Sequence, residues 1–557
     1  MKLCGAKILI ETLIEQGVDT IFGYPGGQVL NIYDELYNYG DKIKHVLSAH
    51  EQGAAHAAEG YARSTGKAGV VLATSGPGAT NLVTGIADAY LDSVPLVAIT
   101  GNVPCSLIGR DSFQEVDIVG ITLPVTKHNF IVKDVAQLAD TVREAFKIAQ
   151  SGRPGPVLID IPKDVQINET EFENKPVADT LYKGAANDDD VTRVIELIND
   201  STKPFIYCGG GVIAADAEAE LTEFAKLIAA PVGFSLMGLS AMPIDSENAL
   251  GMVGMHGHYS ATKAKSEADL LIALGVRFSD RATGDKTKYQ KHSDIIHIDV
   301  DNAEIDKNIP SSLGVNCDVK TFLTALFKRK DELKIKDRTE WQSRINELKK
   351  FEAANAAKPL GTSLTPYSVI DAVAKYTDKD MPIATDVGQH QMWVAQRYPF
   401  RKQRTFITSG GLGTMGFGMG AAIGAAIATG KRSVLFTGDG SFGMNLNELA
   451  TAVSQNIPLV VVIMNNKVLG MVRQWQTMFY NQHYSSTTLD RKTDFVKLAE
   501  AFGAKGFKAD SDNSLDEALK AAFAYDGTAV IDCHINCDER VLPMIPPGGA
   551  VSDLILK

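Results

Sequence analysis

A glycine–aspartate–glycine–serine turn stands in the last third of the chain, where an apolar segment ends. Residues 434–436 are typical of a buried strand and lead into G-D-G-S at 438–441. A helical pattern follows, and a second apolar segment opened by Pro458 ends at Asn465-Asn466. Strand, helix and strand form a βαβ unit, whose loops lie at the carboxyl edge of a parallel sheet, where ligands bind.

Asp439 and Asn466 are polar residues at the ends of these two predicted strands. Their side-chain oxygens are ligands of the kind that Mg²⁺ prefers. The glycines at 438 and 440 allow backbone amides to approach an anionic oxygen closely. Each half alone is more simply a tight turn or a polar strand end. Together they predict a magnesium ion that bridges a diphosphate.

Glu51 is the candidate acid–base group in the first part of the chain. It stands where a predicted strand leads into a helix of small residues, between Val46-Leu47 and Ala54-Ala55. A glutamate in a first helical turn complements the helix dipole, which is the simpler interpretation. Apolar surroundings would also raise the carboxyl pKa and suit the group to proton transfer.

Two glycine-rich loops flank Glu51 in the sequence, G-Y-P-G-G-Q at 23–28 and T-S-G-P-G-A-T-N at 74–81. Each follows a predicted strand. The backbone amides of the first loop can face a substrate oxygen, and the second loop can hold a ligand against a helix N-terminus.

Three blocks of alternating strands and helices predict three doubly wound α/β domains with parallel sheets, at 1–165, 185–340 and 362–557. The polar tract 168–183 is predicted to be a linker, and the charged run 328–350 an exposed helix without a function. The strands predicted in the first two blocks are Thr20–Phe22, Gly69–Ala73, Leu96–Thr100, Val157–Ile159, Phe205–Cys208, Pro231–Phe234, Leu270–Leu274 and Ile295–Asp299.

Composition favours a cytoplasmic globular protein. Of 557 residues, 45% are hydrophobic and 22% charged, and the net charge of −12 argues against nucleic-acid binding. A helix is predicted at once, over 6–16, in place of a secretion signal. The weakly polar run 416–430 is rich in glycine and alanine, which favours tight packing over a membrane span. Six scattered cysteines indicate free thiols and not a zinc site.

These motifs occur in the order and spacing seen in thiamine-diphosphate decarboxylases and carboligases. More closely, and from end to end, the chain resembles the large subunits of the acetohydroxyacid (acetolactate) synthase family. The further motifs that carry this resemblance are F-Q-E at 113–115, Lys127, S-G-R-P-G-P at 151–156, G-M-H-G at 254–257, R-F-S-D-R at 277–281, G-Q-H-Q-M at 388–392, G-G-L-G-T-M-G at 410–416, M-V-R-Q-W-Q at 471–476 and V-L-P-M-I-P-P-G at 541–548.

The resemblance implies a thiamine-diphosphate site shared by the first and third domains. It implies that Glu51 activates the coenzyme at N1′ of its pyrimidine, and that Met415 supports the bent coenzyme. Mg²⁺ would be held by Asp439, Asn466 and the backbone carbonyl of Val468. The residues implied to contact the coenzyme are Pro25, Glu51, Thr74, Pro77, Asn81, Gln114, Val387, Gly388, Gln389, His390, Gly413, Met415, Gly438, Asp439, Gly440, Ser441, Asn466, Gly470 and Met471.

The resemblance also implies the residues that meet substrate. Arg281 would bind the carboxylate of a second 2-oxo acid, and Trp475 would select that acceptor by its alkyl group. A lone arginine is otherwise a surface ion pair, and a tryptophan a core residue. The full set implied for catalysis is Gly27, Gln28, Glu51, Phe113, Gln114, Lys127, Arg281, Met415 and Trp475.

A bound FAD without a redox role is implied for the middle domain. The glycines at 209–211 follow a predicted strand but lack the full G-x-G-x-x-G pattern, so alone they are a weak nucleotide signal. The residues implied to contact FAD are Arg153, Gly209, Gly210, Gly211, Ser235, Leu236, Gly254, Met255, His256, Gly275, Val276, Arg277, Asp280, Arg281, Asp299, Asp318 and Val319.

The implied reaction joins the two-carbon unit left by decarboxylation of pyruvate to a second pyruvate or to 2-oxobutyrate, as in branched-chain amino-acid synthesis. The alternatives are a flavin enzyme of the pyruvate oxidase kind, a catabolic acetolactate synthase and a non-catalytic nucleotide-binding protein. The implied partners are a second or further copies of the chain and a separate regulatory small subunit. Gln28 and Ser279 depart from the family's usual alanine and aspartate.

Overall fold

Three six-stranded sheets, each made only of parallel strand pairs, organise the chain. The structure is a computed structural model that describes residues 1–177, 184–289, 292–360 and 363–557. The predicted fold of three α/β domains is confirmed. The end of the predicted linker, 178–183, and the predicted start of the third domain at 362 lie outside the described residues.

The first domain adds a small antiparallel pair, β1 with β8, to its main sheet, whose strand order is β3-β2-β4-β5-β7-β6. Its strands are β1 Lys2–Cys4, β2 Thr20–Tyr24, β3 Lys44–Leu47, β4 Gly69–Ala73, β5 Leu96–Asn102, β6 His128–Ile131, β7 Pro156–Pro162 and β8 Glu169–Glu171. Its helices are α1 Gly5–Glu15, α2 Leu30–Asn38, α3 Glu51–Thr65, α4 Pro77–Asn81, α5 Val83–Asp92, α6 Ile118–Thr122, α7 Leu138–Gln150 and α8 Lys163–Ile167.

The middle domain has the strand order β11-β10-β9-β12-β13-β14. Its strands are β9 Pro204–Cys208, β10 Val232–Phe234, β11 Ala249–Met252, β12 Leu270–Leu274, β13 Asp294–Asp299 and β14 Leu313–Asn316. Its helices are α9 Asp188–Asp200, α10 Gly210–Ala214, α11 Glu218–Leu227, α12 Tyr259–Glu267, α13 Asp280–Thr283, α14 Val319–Phe327 and α15 Thr339–Ala354.

The third domain has the strand order β16-β15-β17-β18-β20-β19. Its strands are β15 Ile383–Thr385, β16 Phe406–Ile407, β17 Ser433–Gly438, β18 Leu459–Asn465, β19 Lys505–Ala509 and β20 Ala529–His534. Its helices are α16 Pro366–Ala374, α17 Gln389–Arg397, α18 Phe417–Thr429, α19 Asp439–Asn445, α20 Glu448–Ser454, α21 Gly470–Phe479, α22 Phe495–Ala501 and α23 Asp512–Ala524.

The predicted strands are present. Helices cover both faces of each sheet, which explains why the strands could be recognised from their apolar residues. Strands buried on both faces consist of continuous apolar runs, and β18 is buried along its whole length. Two expectations need correction. The tract predicted as a linker begins with β8, and only part of the charged run is helical, because α15 starts at Thr339. Trp341 and Ile345 of α15 are buried in the middle domain, so this helix is not wholly solvated.

The first and third domains are joined by close contact between α3 and α18, and each of these helices follows the second strand of its own domain. Small residues make the contact possible. A Cβ at Gly424 would collide with the carbonyl oxygen of Ala57, and one at Gly60 with that of Ala421. Among the helices of the described ranges, none combines the length and apolar character that a membrane span requires.

In each sheet the direction of winding reverses beside the first strand, and ligands of doubly wound folds bind at such a place. The reversal lies between β2 and β4 in the first domain, between β9 and β12 in the middle domain and between β15 and β17 in the third. The glycine-rich loops at 23–28, 209–211 and 438–441 all follow strands at these positions.

Candidate active site

The predicted metal ligands stand at neighbouring strand ends in the third domain. Asp439 opens α19 directly after β17, and Asn466 follows β18, which pairs with β17. Both residues are buried, at 7% and 8% exposure. Burial raises the pKa of Asp439 to about 6. A bound cation would favour the ionised carboxylate, so this carboxyl suits a metal site.

Glycines beside these ligands form a cradle around His390. A Cβ at Gly388 or at Gly438 would come within 2.9 or 3.1 Å of its imidazole. Burial lowers the pKa of His390 to about 3, so the ring is neutral, and Nε2 has no hydrogen-bond partner among the described residues. A cradle that side chains would fill, with a buried polar atom aimed into it, fits a diphosphate.

Other predicted contacts of the coenzyme surround the cradle. The Ser441 hydroxyl donates to the Val387 carbonyl at 2.8 Å. The amide of Asn466 donates to Gln389 Oε1 at 3.4 Å, and a Cβ at Gly470 would collide with that same oxygen. The Val468 amide donates to Asn466 Oδ1 at 3.2 Å. The metal loop and the G-Q-H segment are therefore one compact unit.

Met415 lies beside this unit at the start of α18. A Cβ at Gly440 would stand 3.9 Å from its methyl group. Gly413 and Gly416, which flank it, have φ of 72° and 92°, a region that favours glycine. The buried Asp386 fixes the turn, because its carboxylate accepts the Gly416 amide at 2.7 Å. Burial raises the pKa of Asp386 to about 6.

Glu51 is the first residue of α3 and is half-buried. Its carboxylate accepts a hydrogen bond from Asn81 Nδ2 at 2.9 Å. Thr74 Oγ1 accepts the Gln28 amide at 3.2 Å, so the two glycine-rich loops of the first domain meet beside Glu51. Pro25, Gly27 and Pro77 are exposed at this edge of the sheet.

Three further residues of the first domain that are predicted to be catalytic, Phe113, Gln114 and Lys127, make no hydrogen bond to Glu51 within the described residues. Phe113 is 84% exposed, and Gln114 has a φ of 58° with its backbone against Gly76. Lys127 is turned away, and its amine donates to the carbonyls of Ile148 and Ser151, the latter at 2.7 Å. Burial, together with Arg153, lowers the pKa of Lys127 to about 8.

In the middle domain, glycines of two adjacent strand ends touch one another. The Gly211 amide donates to the Gly275 carbonyl at 3.1 Å, and a Cβ at Gly209 would collide with that carbonyl. Gly275 has a φ of 57°. Gly210 opens α10 beside them. This is the geometry in which a dinucleotide approaches the backbone closely at the point where winding reverses.

His256 and Asp299, two more of the residues predicted to contact FAD, are buried polar groups. Burial lowers the pKa of His256 to about 4, and its Nδ1 is without a partner within the described ranges. Burial raises the pKa of Asp299 to about 6. Met255 is held by its amide, which donates to the Arg281 carbonyl at 2.8 Å. Gly254, with a φ of 113°, has Arg281 as its neighbour.

The remaining predicted flavin contacts have varied environments. Arg153 donates to Glu304 Oε1 at 2.6 Å and to Ser93 Oγ at 2.8 Å. Burial lowers the pKa of Arg277. Asp318 caps α14 by accepting the Thr321 amide at 2.9 Å, a role that needs no ligand. Val276 and Val319 are buried, Ser235, Leu236 and Arg277 are half-buried, and Asp280 is exposed.

Arg281 and Trp475 meet across the boundary between the middle and third domains. The guanidinium carbon lies 5.8 Å from the centre of the indole ring. Arg281 lies 3.9 Å from Asp280, but both side chains are largely exposed, so that ion pair is weak. Trp475 lines a mostly apolar groove of about 660 Å³ together with Met471, Val472 and Phe479.

Comparison with known proteins supports the same division into domains. Three family models match in chain order: "Thiamine pyrophosphate enzyme, N-terminal TPP binding domain" over 3–121, its "central domain" over 191–326 and its "C-terminal TPP binding domain" over 386–533. The chain is 45% identical to the "Probable acetolactate synthase large subunit" of Methanocaldococcus jannaschii, over 99% of this chain and 95% of the relative. It is 43% identical to the "Acetolactate synthase isozyme 1 large subunit" of Escherichia coli, over 100% and 98%.

The chain belongs to the acetolactate synthase large-subunit family. A third relative of this family, the "Acetolactate synthase large subunit" of Lactococcus lactis, is 44% identical over 98% of this chain and 94% of its own length. Agreement over whole chains means that the coenzyme-binding domains and the middle domain correspond together.

Three buried acids that hold loops or helix starts of the predicted site are not among the residues predicted from the sequence: Asp386, Asp88 and Glu448. For Asp386 a signal existed, since it directly follows an apolar strand beside the G-Q-H segment. Glu448 offered none, because the amide it accepts belongs to His50, 398 residues earlier. Asp88 likewise accepts two hydroxyls of another domain, those of Ser409 and Thr414.

Proposed function

We propose that this protein decarboxylates pyruvate and joins the two-carbon unit to a second 2-oxo acid, to give 2-acetolactate or 2-aceto-2-hydroxybutyrate. The relatives that match it along its whole length are named acetolactate synthases. The observation that carries the acceptor step is the contact between Arg281 and Trp475, a tryptophan that also lines an apolar groove. A cation beside an apolar wall is what a small 2-oxo acid requires.

Thiamine diphosphate would be held at the third domain by its diphosphate. Asp439 and Asn466 with the Val468 carbonyl would hold Mg²⁺, and the glycine cradle with His390 would face the diphosphate oxygens. When bound, this coenzyme supplies a carbon nucleophile and holds the charge left when CO₂ departs. Met415 would support the coenzyme from the start of α18.

Glu51 would exchange a proton with N1′ of the coenzyme pyrimidine. The supporting observation is that its carboxylate is half-buried, is held by Asn81 and lies against the Thr74 loop. The Gln28 amide, which donates to Thr74 Oγ1, would hold the 23–28 loop against the loop of Thr74 beside Glu51. Phe113, Gln114 and Lys127 remain candidates to line the entrance, although this chain turns the Lys127 amine toward Ser151.

Arg281 would bind the acceptor carboxylate, because a guanidinium makes paired, charge-assisted contacts with a carboxylate. Trp475 would contact the alkyl group of the acceptor. One added methylene in such a pocket is worth about 1–3 kcal/mol, which is enough to favour 2-oxobutyrate over pyruvate.

FAD would lie across the middle domain with its diphosphate at the Gly209–Gly211 and Gly275 contact. Two observations support this placement. Within the described residues, Nδ1 of His256 is buried without a hydrogen-bond partner, and the backbones at Gly209, Gly211 and Gly275 approach one another closely. We propose that this flavin has no redox step in the reaction, as the carboligase chemistry consumes no electrons.

We also propose that the complete site forms between two chains, in a homodimer or a homotetramer. Large apolar side chains beside residues of the predicted site are exposed, namely Phe113 next to Gln114 and Met444 against Gly416. The relatives are named large subunits, so a separate small subunit is a proposed partner.

The deciding experiment gives the purified chain thiamine diphosphate, Mg²⁺, FAD and pyruvate without oxygen, and measures acetolactate and flavin absorbance together. Acetolactate formed while the flavin stays oxidised supports the proposal. Flavin reduced at the rate of pyruvate loss favours the oxidase alternative. Undiminished activity of a Glu51→Gln variant would show that Glu51 is not the group that exchanges a proton with the coenzyme.

A further inference from the structure

The loop Ser409–Thr414 of the third domain is held by two carboxylates of the first domain. Asp92 accepts the Gly410 amide at 2.9 Å and the Gly411 amide at 2.7 Å. Asp88 accepts the Ser409 hydroxyl, and also the Thr414 hydroxyl at 2.9 Å. Four donors of one loop therefore end on two acids of α5.

These acids are balanced by one buried arginine. Arg63 Nη2 lies 2.9 Å from Asp92, 3.4 Å from Asp88 and 3.3 Å from Glu59. Its side chain is 9% exposed, and those of the acids are wholly buried. A buried charge cluster is tolerated only when its lone pairs and protons are satisfied. The hydrogen bonds from the loop therefore help to stabilise the buried acids.

The middle domain also contacts this loop. A Cβ at Gly410 would collide with the sulfur of Met237, and one at Gly411 would come within 2.8 Å of Asp92. Ser93, next to Asp92, accepts Arg153 Nε at 2.8 Å. The loop thus lies where all three domains meet, and it ends at Met415.

We propose that Asp88 and Asp92 are positioning residues for the thiamine-diphosphate site, because they fix the loop that carries Met415. This inference rests on the proposed function of Met415 and the coenzyme. Gly410 and Gly411 are exposed and have no side chains to anchor them. Glycine has the largest conformational freedom of any residue, so the hydrogen bonds that the Gly410 and Gly411 amides donate to Asp92 select one conformation of this loop.

The test compares Asp92→Asn with Asp269→Asn. Asp269 is a matched control, since it accepts the consecutive amides of Thr202 and Lys203 at 2.9 and 3.0 Å, far from the loop. Hydrogen exchange of the 406–417 peptide is measured on the full chain with FAD, and thiamine-diphosphate affinity is measured by equilibrium titration with Mg²⁺. Steady-state acetolactate formation is measured on the same samples.

For Asp92→Asn we expect exchange in this peptide at least about tenfold faster and a thiamine-diphosphate dissociation constant at least about tenfold higher. The KM for pyruvate and the FAD content should stay within twofold, and Asp269→Asn should match the wild type. Affinity within twofold of wild type, or equal losses in both variants, would overturn the proposal. If Asp92→Asn does not fold, Ser409→Ala decides by the same measurements. A wild type that binds coenzyme but forms no acetolactate would count against the proposed function alone.

Discussion

The carboxylate of Glu448, in the third domain, accepts the backbone amide of His50 at 3.0 Å, directly before Glu51 in the first domain. Its other oxygen accepts the Ala49 amide at 3.3 Å and the Thr451 hydroxyl at 2.6 Å. Glu448 is 1% exposed, and it lies so close to Gly53 that a Cβ there would collide with it. The third domain therefore sets the start of the helix that presents Glu51.

Replacing Glu448 with glutamine should keep the shape but remove the charge and one acceptor. The Ala49 amide keeps a second acceptor, Thr451 Oγ1 at 2.9 Å. The His50 amide is therefore the one that loses its bond when the glutamine NH₂ group faces it, at a cost of about 1–3 kcal/mol. We expect kcat to fall by about tenfold and the pH–rate profile to shift, with smaller change in thiamine-diphosphate affinity. Glu352→Gln is the control, because Glu352 accepts the amides of Tyr259 and Ser260 in the same manner. Equal effects of the two variants would contradict a link to Glu51.

The acceptor prediction concerns Trp475. Leucine at this position shortens the apolar wall beside Arg281, so the preference for 2-oxobutyrate over pyruvate should fall by about tenfold or more. The measurement is the product ratio when both acids compete. Tyr480→Leu, at the exposed end of the same groove, should leave the ratio unchanged. An unchanged ratio for Trp475→Leu would exclude the tryptophan from acceptor selection.

Much of this site follows from the sequence, because strand ends of parallel sheets carry ligands and the apolar runs mark those ends. The positions of Asp439, Asn466 and Glu51 could be predicted in this way. The contact of Arg281 with Trp475 could not, since it depends on how two domains meet. The contact of Glu448 with His50 could not be predicted either, because no local sequence pattern indicates a partner 398 residues away.

Glu59 should give stability a pH dependence of defined sign. Burial raises its pKa to about 7 from an ordinary 4.5. The folded chain thus keeps this proton where the unfolded chain has released it, and the contribution of Glu59 falls as pH rises from about 4.5 to about 7.

Between pH 4.5 and about 7, the free energy of unfolding should therefore fall less for Glu59→Gln than for the wild type, by a difference on the order of 2 kcal/mol. Urea unfolding at several pH values measures it, and the exposed Glu332→Gln serves as control. Parallel pH dependences of wild type and Glu59→Gln would contradict the prediction.

Gly424→Ala tests the contact between α3 and α18. The new methyl group would meet the Ala57 carbonyl oxygen, which is backbone and cannot turn aside. Overpacking of this kind costs about 1–3 kcal/mol or more in the free energy of unfolding. Gly40→Ala is the control, because a Cβ there meets open space. Urea midpoints compare the two, and an unchanged midpoint for Gly424→Ala would show that the helices can separate freely.

The shared strand order of the first and third sheets has a consequence for how their two domains pack. In both, the order is second, first, third, fourth, sixth, fifth, and α3 and α18 are the corresponding helices. The hydrogen bonds between the two domains correspond as well. Asp88 follows the third strand of the first sheet and accepts the Thr414 hydroxyl just before α18. Glu448 follows the third strand of the third sheet and accepts the His50 amide just before α3. The close contacts of Gly424 with Ala57 and of Gly60 with Ala421 are reciprocal too, so the two domains pack within one chain as the two halves of a symmetric pair would.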